Sequence, residues 1–179
     1  GKKTNSIITQ NGLKFIDISN DGSIVATASE DGTTVVYNIN NPDIPLLVVN
    51  NLSQDTDNTV VGISFDQSGE NLWICKIKGP ELWNIENKEI SKSFNINVTA
   101  PYFISSEDKS LFVIFQNSSS RIYYRNQEGS LKSYGINNNS NIRSASITND
   151  NKQLLLGSVD GLLNVWSINE SDEVTKNSY

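Results

Sequence analysis

Between Ser144 and Ile168 the chain reads SASITNDNKQLLLGSVDGLLNVWSI. This unit constrains the fold more than any other feature. Ser144 to Ile147 is apolar on alternate residues, Asn149-Asp150-Asn151-Lys152 is turn chemistry, and Leu154-Leu155-Leu156 is an apolar run too short for a helix. Asp160-Gly161 predicts a second tight turn, because Gly adopts positive φ at no steric cost. Leu163 to Trp166 alternates again and ends on a large aromatic. Nothing here has a period near 3.6 residues, so the unit predicts short antiparallel strands. One such unit cannot bury both of its faces and needs neighbours.

It recurs. FIDISNDGSIVATASEDGTTVVYNI (15–39) and GISFDQSGENLWICKIKGPELWNI (62–85) repeat its order of turns and strands, and FISSEDKSLFVIFQNSSSRIYYRN (103–126) is a weaker copy. The aromatics that close the copies, Tyr37, Trp83, Tyr124 and Trp166, lie 41 to 46 residues apart. That is the spacing of a four-stranded propeller blade. The expected fold class is therefore all-β, a β-propeller of four-stranded antiparallel blades. Four blades are expected over residues 12–50, 59–95, 100–134 and 142–176, in a single propeller domain or propeller fragment. A lone outer strand is expected over 5–10. The expected fourth strands are Ile44 to Asn50, Glu89 to Phe94, Ser130 to Tyr134 and Glu173 to Thr175. The second turn of the third blade is expected at Asn117 to Ser120.

Ser29–Ile39 (SEDGTTVVYNI), Ser158–Ile168 (SVDGLLNVWSI) and Lys78–Ile85 (KGPELWNI) resemble blades of the WD-repeat β-propeller family. The resemblance covers about residues 5–176. It departs from the family at two places. Asn38, Asn84, Arg125 and Ser167 stand where the family often has Asp after the aromatic. The chain also has no His, so the Trp–Ser/Thr–His–Asp network of the family cannot form around Asp31 and Asp160. The resemblance implies a divergent member that leans on apolar packing. The family commonly has about seven or eight blades, so four imply part of a larger propeller or a half-ring that pairs with another.

Net charge and residue types exclude several functions. The chain of 179 residues carries a formal charge of −6 with a pI near 4.6, against a broad nucleic-acid or anionic-membrane surface. Its one cysteine, Cys75, permits no internal disulfide, and an intracellular, cytoplasmic or nuclear, location is expected. No apolar run approaches membrane-span length. The chain has no Met and opens on Gly1-Lys2-Lys3, so it is expected to be a piece of a longer protein. Its 25 asparagines are read as loop and turn residues, with 137–139 as their peak.

No nucleophilic triad is available without a His base. Cys75 lies in an apolar strand and is expected to be a buried, inert thiol. No zinc ligand set, phosphate loop or complete calcium loop is present. Neither a catalytic residue, nor a metal, nor a cofactor is therefore expected. Asp21, Asp31, Asp108, Asp150 and Asp160 are read as turn formers, and Trp73, Trp83, Trp166, Tyr37 and Tyr124 as core.

The resemblance implies that partners dock on the face carrying the loop before each inner strand and the second turn of each blade. In this chain those positions are Lys14, Glu30, Lys78, Tyr102, Arg121, Arg143 and Asp160. The candidate partner-binding set is Lys14, Lys76, Lys78, Tyr102, Arg121 and Arg143, with Lys76, Lys78, Arg121 and Arg143 as a basic strip for an acidic or phosphorylated partner. The function expected is a non-enzymatic protein-interaction scaffold in a larger assembly. Its partners are other proteins, with a second propeller half or further blades of the parent chain among them. The alternative is a propeller subunit of an RNA-processing or ribosome-assembly particle touching RNA through local basic loops. A third reading, a propeller enzyme working with paired carboxylates, requires a deep central pocket.

Overall fold

The computed structural model describes residues 12–51, 56–96, 102–115, 121–125, 131–135, 140–168 and 174–176, with only the backbone for 121–125, 131–135 and 174–176. The expected lone strand at 5–10 and the turn at 117–120 lie outside the described residues. Contacts divide the chain into two compact units, Gly1–Lys76 with Glu81–Lys92 and Ile77–Pro80 with Ser93–Tyr179.

The described residues form four sheets of four strands, each in chain order, as the repeat predicts. The first holds β1 (Leu13–Ile18), β2 (Ile24–Ser29), β3 (Thr34–Asn38) and β4 (Leu47–Val49). The second holds β5 (Val60–Phe65), β6 (Asn71–Lys76), β7 (Gly79–Asn84) and β8 (Glu89–Ser93). The third holds β9 (Tyr102–Ser105), β10 (Phe112–Phe115), β11 (Arg121–Arg125) and β12 (Leu131–Gly135). The fourth holds β13 (Ile142–Ile147), β14 (Gln153–Ser158), β15 (Leu163–Ile168) and β16 (Val174–Lys176). The fourth strands of the third and fourth sheets start one residue later than expected, and β4 starts three later. β4 begins at Leu47 rather than Ile44, after a Leu46 N–H bond to the Val36 carbonyl (2.8 Å). The repeat puts the second turn of the second blade at Lys78-Gly79-Pro80, but β7 already begins at Gly79 and the turn is only Ile77-Lys78.

The turn from the first to the second strand of each sheet is built the same way four times. Ser19 Oγ donates to Asp21 Oδ1 (2.6 Å), Ser106 Oγ to Asp108 Oδ1 (2.8 Å) and Thr148 Oγ1 to Asp150 Oδ1 (2.6 Å). In the second sheet the partners exchange places, and Ser68 Oγ donates to Asp66 Oδ1 (2.8 Å). The next residue lies at positive φ in every case: Gly22, Gly69, Lys109 and Asn151. A hydroxyl–carboxylate pair spanning two residues thus makes the turn whether or not a Gly follows.

In the first unit, one face of the first sheet (Phe15, Ala26, Ala28, Val36, Leu47) packs on the facing residues of the second (Val60, Ile63, Phe65, Leu72, Ile74). In the second unit, Tyr102, Ile104, Val113 and Phe115 of the third sheet pack on Ile142, Ala145, Leu154, Leu156 and Trp166 of the fourth. The same arrangement therefore occurs once in each unit: the second sheet is covered by the first, and the fourth by the third.

Candidate functional site

β1, β5 and β13 each carry a bulge after their first residue, where the pairing with the neighbouring strand shifts between Leu13 and Phe15, Val60 and Gly62, and Ile142 and Ser144. Lys14 and Arg143 are the bulged residues of their sheets, and both are exposed. A bulge re-aims a side chain out of the regular alternation, so these two candidates occupy one structural position. Lys14 Nζ lies 5.3 Å from the centre of the Phe15 ring.

The other candidates are placed differently. Tyr102 falls one register later than the bulge and is half-buried, stacked on Phe115 with ring centres 5.3 Å apart at 12°. Lys76 is half-buried, and its Nζ meets Glu81 Oε2 at 2.7 Å. The same Glu81 oxygen accepts the indole N–H of Trp83 at 3.0 Å. Lys78 is exposed in the β6–β7 turn, where its carbonyl accepts the Ile96 N–H (2.9 Å). Arg121 opens β11; its side chain and that of Tyr124 lie outside the described residues. The sequence did not anticipate the engagement of Lys76 by Glu81. The i, i+5 spacing across a two-residue turn is the signal that carried it.

The acidic residues serve the turns. The Ser19 hydroxyl and the Ser23 N–H and hydroxyl hold the Asp21 carboxyl down at about 2. At Asp108 burial pushes upward, but the Ser110 N–H, the Ser106 and Ser110 hydroxyls and Asn151 outweigh it and hold the carboxyl at about 2. Asp150 is lowered by the Thr148 hydroxyl and the Lys152 N–H, and Asp160 by the Ser158 hydroxyl and, with burial opposing, the Leu162 N–H. Asp31 accepts the Thr33 N–H at 2.9 Å. A carboxylate that accepts this many local donors is stabilised in its charged form, and is poorly suited to hold a proton for acid catalysis near neutral pH.

The two closing tryptophans differ in how their indole nitrogens are met, since Trp83 bonds Glu81 and Trp166 does not. The Trp166 side chain is 6% exposed, and its indole nitrogen has no hydrogen-bond partner among the described residues. Cys75 is fully buried, and burial pushes its thiol well above the ordinary value. Among the described residues no cluster of His, Cys, Asp or Glu is able to hold a metal ion. No helix among them is long and apolar enough to cross a membrane.

One surface stands apart. Leu13, Ile16 and Ile18 on β1 are 49%, 69% and 47% exposed. Pairing registers make them the counterparts of Val60, Ile63 and Phe65 on β5, which are 3%, 5% and 0% exposed beneath the first sheet. Ile142, Ala145 and Ile147 of β13 occupy the same positions beneath the third sheet. Sequence reasoning missed this row, because all three strands have the same apolar pattern.

Residues 2–38 match the family model described as WD domain, G-beta repeat. No curated protein sequence matches the chain. Among solved structures 1249 chains match. One of them, Kuenenia stuttgartiensis Hydrazine Synthase, superposes with a TM-score of 0.71 at 13% identity, over 98% of this chain and 56% of that one. The chain thus spans little more than half the length of that structure, and at such identity the likeness is one of fold alone.

Proposed function

We propose that this chain, whose four sheets are propeller blades of the WD-repeat kind, is a non-enzymatic scaffold that holds proteins together in a larger assembly. The observation that carries this reading is the exposed row Leu13, Ile16 and Ile18. Its counterparts on the second and fourth sheets are each covered by a preceding sheet. Exposed apolar side chains at positions built to be covered favour association, since each buried aliphatic side chain contributes about 1.5–3 kcal/mol. The covering partner is a sheet of the same kind, from a second propeller half or from further blades of a longer parent. Lys14 and Arg143, at equivalent bulges, are the partner-facing cations. Lys78 and Arg121 complete that set, whereas Lys76 is held by Glu81.

Affinity capture from a native extract tests the reading. The wild-type chain and an Ile16→Lys/Ile18→Glu variant serve as baits, with cross-linking through Lys14. The wild type is expected to retain protein partners cross-linked at Lys14 and the variant to lose them. Equal capture by both baits removes the assembly reading. Capture of RNA that falls away on Arg143→Glu, with no protein partner, would favour the RNA-contacting alternative.

A further inference from the structure

A groove of about 570 Å³ lies in the first unit, between the segment leading into β4 and the turns of the second sheet. Pro45, Leu46 and Ile85 supply its apolar wall, and Ile44, 69% exposed, stands at its lip. Its rim is charged: Glu70, Glu86 and Lys88 are all exposed there. The volume falls within the range of small-ligand and side-chain sites, roughly 300–1,000 Å³.

The walls are fixed by backbone bonds rather than by packing alone. The Ile85 N–H donates to the Glu70 carbonyl (3.0 Å), which ties the two turns of the second sheet together. The Lys88 N–H donates to the Asn84 carbonyl (3.0 Å) with Lys88 at positive φ, and Asn84 Nδ2 donates to Asn71 Oδ1 (3.1 Å). The Leu46 N–H is held by Val36. A groove fixed in this way requires little ordering when a ligand enters.

We propose that this groove binds a short extended peptide segment of a partner protein, one that places an apolar side chain beside a Lys or Arg. The apolar wall takes the aliphatic or aromatic side chain. Glu70 and Glu86 outnumber Lys88 at the rim, in a chain of net charge −6, so the complementary neighbour is basic. The inference deepens the scaffold reading and rests on it. It uses residues remote in sequence from the β1 row, so the two are separable.

A library of displayed octapeptides selected on the intact chain tests it, followed by fluorescence polarisation with the best binder, fluorescein-labelled. Enriched peptides are expected to carry Leu, Ile, Val or Phe within two positions of Lys or Arg. Ile44→Asp is expected to weaken the labelled peptide about tenfold or more. Glu70→Lys/Glu86→Lys is expected to weaken it similarly and to shift selection toward acidic peptides. All three positions are exposed, and unchanged thermal unfolding of the variants confirms that the fold is kept. Enrichment of peptides without the apolar–basic pair, or equal binding by Ile44→Asp, overturns the proposal. If the groove fails while the Ile16→Lys/Ile18→Glu bait still loses its partners, the scaffold reading stands without it. The reverse result leaves a peptide groove without the assembly surface.

Discussion

Asp17 joins two sheets: its Oδ2 accepts the backbone N–H of Phe65 at 2.8 Å. Asp17 lies on β1 and Phe65 on β5, so this carboxylate ties the first sheet to the second alongside their apolar packing. Charge-assisted bonds of this kind are stronger than neutral ones. Asp17→Ala should lower the unfolding free energy by about 1–3 kcal/mol, read from urea denaturation, because it leaves a half-buried N–H without its acceptor. A loss close to zero would mean that water replaces the bond.

The turn carboxylates set the acid limit of stability. Asp21 and Asp108 titrate at about 2 in the folded chain, below the unfolded value of about 3.9. The folded state therefore binds fewer protons than the unfolded state in that interval. Their contribution is complete above about pH 4 and is lost as pH falls toward 2. Denaturation profiles against pH should show a decline over that window, and Asp108→Asn should make it shallower.

Two glycines should respond very differently to alanine. Gly79 has φ +141, and an added Cβ would fall on the Phe94 carbonyl and crowd the Ile96 N–H. Gly161 has φ +82 with open space around it. Gly79→Ala should destabilise by about 3 kcal/mol, and Gly161→Ala by only about 1–2 kcal/mol, the left-handed backbone penalty. Thermal denaturation of the pair separates steric from purely conformational cost.

Glu81 Oε2 receives both Lys76 and Trp83. Glu81→Ala should cost about 2–3 kcal/mol, since a half-buried ammonium and an indole N–H both lose their acceptor. Lys76→Met keeps the aliphatic stem and the Trp83 bond, and should cost about 1 kcal/mol or less. If the two variants are equally damaging, measured by urea denaturation, the ion pair and not the indole bond is the main contributor.

Much of the fold was legible because it is local. The hydroxyl–carboxylate pairs at Ser19–Asp21, Ser106–Asp108 and Thr148–Asp150 span two residues, and the sequence shows them directly. The Asp31 and Asp160 turns likewise follow from an Asp-Gly pair. The candidate surface was less legible. Tyr102 and Arg143 were drawn from corresponding loops, yet a bulge turns Arg143 outward while the regular pairing of Tyr102 with Phe115 sends its ring into the core.

Alone, the sequence determined four repeated meanders, the turn between the first two strands of each and the loss of the His network, because each depends on residue types or on residues close together in the chain. Tertiary structure decided which faces are covered. Ile16 and Ile63 occupy the same register position on similar strands, yet one is 69% exposed and the other 5%. The alternation of a strand specifies two faces but not what packs on either, and only the sheet lying against Ile63 sets the difference. The same holds for the groove beside Ile44: its lining comes from three separate segments, 44–46, 69–70 and 84–88, and the packing of the first sheet on the second brings them together.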